Sequence, residues 1–144
     1  MNRGSVRLVA LAVLLAASLF PVAAKEPERI VVQHVLISFE GKIPGKEITR
    51  SKKEAKALAE ELLQRATGGE EFDALVKEYT DDTYPGIYKM ANLKVPVLPE
   101  EKARTDLVAK FGDVAFRLEV GEVGLASFNS YTSPYGWHII KRLE

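Results

Sequence analysis

Residues 8–20 are apolar apart from Ser18, preceded by Arg3 and Arg7 and followed by Pro21 and the small residues Val22, Ala23 and Ala24. A basic start, an apolar run and small residues before Lys25 describe an export leader spanning 1–24. The run is shorter than the roughly 20 apolar residues that cross a bilayer. Cleavage is the expected fate, with a retained anchor as the alternative. Residues 25–144 then form one domain.

The domain opens on Ile-Val-Val-Gln-His-Val-Leu-Ile-Ser-Phe (30–39), β-branched and apolar, which predicts a buried central strand. The stretch 40–50, with Gly41, Pro44 and Gly45, predicts a surface loop. Ser51 and Glu54 make a capping box. Ala55, Leu58, Ala59, Leu62, Leu63 and Ala66 follow at helical spacing, giving a helix of about four turns that Gly68-Gly69 ends. Phe72, Leu75, Val76 and Tyr79 share one face of a shorter helix that stops at Thr80-Asp81-Asp82. The stretch 84–100 carries Pro85, Gly86, Pro96 and Pro99 and reads as irregular. Helical character is expected over 101–111, with one further turn over 114–118. A strand near 125–128, a tight turn at Ser133-Pro134-Tyr135-Gly136 and a closing strand over 137–143 complete the domain. Helices between an opening strand and a closing hairpin predict an α+β fold, an antiparallel sheet covered by helices.

Composition narrows the chemistry. Lys and Arg number 20 and Asp and Glu number 20, so no basic excess exists to neutralise phosphates, and nucleic acid is not an expected partner. Loss of Arg3 and Arg7 with the leader would leave the domain slightly acidic. Cysteine is absent, which removes disulfides, thiol nucleophiles, zinc ribbons and Fe–S clusters. Hydrolase elbows, Gly-rich phosphate loops and His-Glu-x-x-His are missing too.

Only two histidines exist, His34 and His138, each inside an apolar strand. On residues alone three readings stand. They are separate core histidines, or they share one site with a hydroxyl and a carboxylate as partners, or they join Asp82 as iron ligands. Asp81-Asp82 is by default a helix-ending turn. The basic residues Lys42, Lys46, Arg50, Lys52 and Lys53 are a solvated face by default, or a dock for an acidic or phosphorylated peptide.

Five blocks, in order, carry a resemblance: His34 to Ile37, Ile48 to Ala55, Glu71 to Asp82, Phe111 to Gly124 and Ser133 to Lys141. With them the sequence resembles the parvulin-type peptidyl-prolyl cis-trans isomerases. The resemblance implies an α+β fold, a four-stranded antiparallel sheet surrounded by about four helices. It implies a catalytic centre of His34 and His138 side by side, with Asp82 where the family has Cys or Asp and Ser133 where it has a hydroxyl. It places Leu107 and Phe111 on the floor of a proline pocket.

Two departures stand out. The family's Gly-Gly-Asp-Leu-Gly-like wall is replaced by Pro85-Gly86-Ile87-Tyr88, which leaves Ile87 and Tyr88 as candidates for that wall. Ser38 stands where phosphate-selective members have Lys, and their Arg pair is missing, so the resemblance implies no strict phospho-Ser/Thr-Pro selectivity. The implied function is non-covalent isomerisation of X-Pro bonds in exported proteins, periplasmic or extracellular. The partners would be unfolded or extended Pro-containing polypeptides. No cofactor or metal is called for. The protein is expected to be a monomer that meets a membrane only through an uncleaved leader. The competing class is a parvulin-like chaperone or peptide-binding module with little turnover.

Overall fold

A computed structural model describes residues 24–144. The expected leader, 1–24, lies outside the described residues apart from Ala24. Among the described residues no helix is long and apolar enough to cross a membrane.

Strand β1 (Arg29–Ile37) is buried along almost its whole length because it has neighbours on both edges and layers on both faces. On one edge it pairs antiparallel with β2 (Ile87–Ala91), Ile30 opposite Met90. On the other it pairs antiparallel with β5 (Trp137–Arg142), His34 opposite Ile140 and Leu36 opposite His138. The outer strands are β4 (Val123–Ala126), antiparallel to β5, and β3 (Glu101–Ala103), parallel to β2. The sheet order is β3-β2-β1-β5-β4.

The period of two decides which residues meet which layer. Val35, Ile37, Trp137 and Ile139 point to one face and pack with Ala55, Ala59 and Leu62 of α1 (Lys52–Thr67) and Phe72, Leu75 and Val76 of α2 (Phe72–Tyr79). Ile30, Val32 and Ile140 point to the other and pack with Phe111 and Ala115 of α3 (Ala109–Ala115). His34 and His138 share the parity of this second set, so both imidazoles emerge on the α3 side. Helix α1 starts at the expected box: the Glu54 N–H donates to Ser51 Oγ at 3.2 Å, and the Ser51 N–H to Glu54 Oε2 at 2.7 Å.

The expected four-stranded antiparallel sheet and four helices need correction. The sheet has five strands and is mixed, and the described residues hold three α-helices with one 3₁₀ turn at Arg104–Asp106. The first strand not expected comes from the stretch read as irregular. It holds β2, and its crossover returns to lay β3 alongside, with Arg29 bonding Glu101 at 3.1 Å and the Pro96 carbonyl at 2.8 Å. The helix expected over 101–111 is instead β3 and the 3₁₀ turn. Helix α3 begins only at Ala109 and runs through Gly112 to Ala115, absorbing the start of the turn expected over 114–118. The strand expected at 125–128 sits at 123–126 and takes in Gly124, where a Cβ would stand 2.8 Å from Leu118 Cδ2.

Candidate active site

The His34 and His138 rings approach with Nδ1 to Nδ1 at 3.4 Å, across 104 residues of sequence. They are 1% and 5% exposed. Phe111 of α3 stands edge-on to both, its centroid 5.2 Å from His34 and 5.3 Å from His138, at 87° and 88°. Tyr88 of β2 lies 5.1 Å from the His34 ring on another side. The β-sheet parity thus delivers both imidazoles to one spot, and α3 and β2 wall them with aromatic rings.

The turn before β5 fixes His138. Gly136 has φ +148°, and a Cβ there would stand 2.2 Å from the Ile37 carbonyl oxygen, so only glycine lets the two chains close here. Ser133 is fully buried in this turn, and its hydroxyl donates to the Gly136 carbonyl at 2.9 Å. It therefore braces the turn and bonds neither imidazole.

The turn after α2 fixes Asp82. Thr80 Oγ1 accepts the N–H groups of Leu36 and Asp82, each at 3.2 Å. The Asp81 N–H donates to the Leu36 carbonyl at 2.8 Å, and its carboxylate accepts from the Ser38 N–H at 2.7 Å and from Arg50. With Thr80 and Asp81 stitched to β1, Asp82 Oδ2 comes within 3.4 Å of His34 Nε2, an ion-pair distance without hydrogen-bond alignment. The Tyr88 hydroxyl donates to the same oxygen at 3.2 Å.

These contacts set the charges. The His34 imidazole beside it, aided by the Thr83 N–H and Tyr88, holds the Asp82 carboxyl down to about 2 against the opposing effect of burial. Burial, then the neighbouring His34, pushes His138 down to about 3, so its ring is neutral. Burial and the Asp82 charge push the Tyr88 hydroxyl up to about 12. A carboxylate facing His34 Nε2 favours a proton on that nitrogen.

The rings open on a hollow of about 310 Å³ lined by His34, His138, Asp82, Tyr88, Leu107 and Phe111. That volume is at the small end of ligand sites. Ile87 is outside it: it is 46% exposed and, one residue before Tyr88, belongs to the opposite face of β2. The sequence reading did not assign Ile43, Val108 and Tyr135 to the site and named Lys46 only among the loop cations, yet all four also line the hollow. The loop cations gave the signal for Lys46, whose Nζ donates to the Asp81 carbonyl. Their neighbours are partly taken up internally: Arg50 pairs with Asp81, and Lys42 and Lys52 lie over the Phe128 ring at 5.4 and 4.7 Å. Among the described residues no group of three or more His, Asp and Glu is arranged as metal ligands.

Comparison with known proteins bears on the family and the fold. The family model described as the PPIC-type PPIase domain matches residues 18–144. The chain is 31% identical over 116 residues to the chaperone SurA of Pseudomonas fluorescens, an alignment covering 81% of this chain and 23% of that protein. It is 27% identical over 119 residues to foldase protein PrsA 1 of Lactobacillus johnsonii, covering 83% of this chain and 32% of that protein. The chain therefore spans about a quarter to a third of the length of these curated relatives. The solution structure of TbPIN1 superposes with a TM-score of 0.59 at 18% identity, over 81% of this chain and 98% of that one. The peptidyl-prolyl isomerase ESS1 from Candida albicans gives 0.54 at 21% identity, over 81% and 63%. At these identities the structural likeness shows the fold.

Proposed function

The chain belongs to the PPIC-type PPIase domain family, and from that premise we propose that it is a peptidyl-prolyl cis-trans isomerase acting on extended, Pro-containing polypeptides. The observation that carries this reading is the pair of buried imidazoles in contact under the edge of Phe111, beside a hollow of about 310 Å³.

The mechanism follows from the bond. Rotation about X-Pro is slow because it gives up amide resonance, a barrier of about 18–20 kcal/mol. No covalent bond has to break. Each 1.36 kcal/mol or so by which the site favours the twisted amide over the planar one is about tenfold in rate. Leu107, Val108 and Phe111 would receive the prolyl ring and exclude water, which favours the less polar twisted amide. His34, His138 and Asp82 would present a fixed set of dipoles and one negative charge to the rotating carbonyl and nitrogen. Without cysteine, and with Asp82 held as a carboxylate, the reading is non-covalent.

The test is line-shape or exchange NMR of an Ala-Xaa-Pro-Phe peptide with the folded protein. Accelerated interconversion supports the reading. An exchange rate equal to the spontaneous one overturns it.

A second reading, a chaperone that holds chains with little turnover, has its own support. Of eight exposed large apolar residues among the described residues, five (Tyr84, Ile87, Leu93, Val97 and Leu98) fall on the segment that departs from the family pattern. Suppression of client aggregation without peptide isomerisation would favour it. The names of the two curated relatives, a chaperone and a foldase, fit either reading.

We also propose that the protein is exported and acts as a monomer, reaching a membrane only if the leader is retained. The support is the basic, apolar and small-residue pattern of 1–24. N-terminal sequencing of exported protein should begin at Lys25, and a start at Met1 overturns cleavage.

A further inference from the structure

Gly86 lies against the His34 ring. A Cβ at this position would stand 2.8 Å from the His34 carbonyl oxygen, 3.3 Å from His34 Cδ2 and 3.6 Å from Nε2, and its φ of +64° also favours glycine. The Gly86 carbonyl accepts the His34 N–H at 3.1 Å. The height of this backbone above β1 therefore limits where the imidazole can sit.

That height is set from the far side of the strand. Gln33 precedes His34, so its side chain leaves the opposite face of β1, and it is 4% exposed. Its Nε2 donates to Asp73 Oδ1 at 2.7 Å and to the Pro85 carbonyl at 2.9 Å. Asp73 belongs to the first turn of α2, and its second oxygen accepts from the Tyr84 hydroxyl at 2.9 Å. One buried amide thus ties β1, α2 and the 84–86 backbone together, with both carboxylate oxygens of Asp73 engaged.

We propose that Gln33 and Asp73 are positioning residues for the His34 imidazole, acting through Gly86. The proposal rests on the reading of the paired imidazoles as the reacting centre. It gives the Pro85-Gly86 departure from the family's wall a role: a turn clamped from behind takes the place of that wall. Sensitivity is expected because the Nδ1 to Nδ1 and Nε2 to Asp82 separations, both 3.4 Å, leave little room to lengthen.

The test compares Gln33→Met, which keeps size and removes both donors, with Tyr84→Phe, a milder variant at a 46% exposed residue. In each, kcat and KM are measured beside the imidazole 15N signals and the thermal melt. Gln33→Met should lower kcat about tenfold with KM little changed. It should move the His34 and His138 ring signals and keep a cooperative melt. Tyr84→Phe should move the same signals in the same direction by less. Unmoved ring signals in both variants overturn the proposal, as does a kcat that falls only with the folded fraction. If the unaltered protein turns over no peptide, the isomerase reading fails, while the ring signals still decide the positioning.

Discussion

Burial holds His138 neutral down to about pH 3, while an unfolded histidine protonates near 6.5. The folded value is the lower one, so the unfolded chain binds more protons in between. Stability from this group is full above about pH 6.5 and declines as pH falls toward 3. Asp82 adds a second decline, from about pH 4 toward 2, as its partnered carboxylate takes up a proton. Denaturant titrations at pH 7 and 4.5 should show that loss, and His138→Asn should flatten it. An unaltered pH slope in that variant would contradict the assignment of a buried neutral ring. Phe111 touches both imidazoles and is 2% exposed, so Phe111→Ala should cost about 3–5 kcal/mol and confound fold with activity. Phe111→Leu should cost about 1–2 kcal/mol, leave a folded protein and still lose peptide turnover. A folded Phe111→Leu protein with full turnover would remove that ring from the prolyl floor. The meeting of the two histidines was one of three open readings on residues alone, and only the family resemblance singled it out. The bracing role of Ser133 was not legible, because a buried hydroxyl bonds whatever carbonyl its turn brings near, and spacing does not reveal which.

At the scale of elements, α1 was readable because its start and its stripe agree. Ser51→Ala removes one arm of the capping box and should lower stability by about 1 kcal/mol with turnover intact, as read by urea denaturation. The turn before β5 is less forgiving. Gly136→Ala puts a methyl 2.2 Å from the Ile37 carbonyl in a left-handed backbone, and should destabilise by well over about 1 kcal/mol, visible as loss of cooperative unfolding. Strand β2 hid from the sequence because only Met90 and Ala91 of its five residues are buried, leaving too short an alternation to see. The stretch 101–111 misled in the other direction. Glu, Lys, Ala and Arg favour helix locally, but pairing with β2 and a positive φ at Glu100 override that preference.

Across the whole molecule, Arg104 binds parts that are far apart in sequence. Its guanidinium reaches Glu26 at 2.7 Å, Asn92 at 2.9 Å and Asp113 at 2.8 Å, joining the lead-in, the end of β2 and α3. Arg104→Met keeps the apolar stem and should cost about 1–2 kcal/mol, because its partners are partly solvated, and the deficit should shrink in high salt. A melt unchanged at low salt would show that the hub contributes nothing net. The α+β class was legible from element order, while the pairing of the first and last strands was pointed to only by the family resemblance. The mixed sheet was not legible, since its parallel pair depends on long-range contacts that no local pattern carries.

The pairing of β1 with β5 also has a temporal side. Every helix described precedes β5 along the chain, so synthesis from the N-terminus delivers all three before it delivers the second ring of the site. A nascent chain can be largely helical and still lack the paired imidazoles. In refolding, recovery of turnover should therefore lag the return of helical circular dichroism, and removing 137–144 should abolish turnover at a stroke. An order of events results: among the described elements, the strand that completes the imidazole pair is the last to be made.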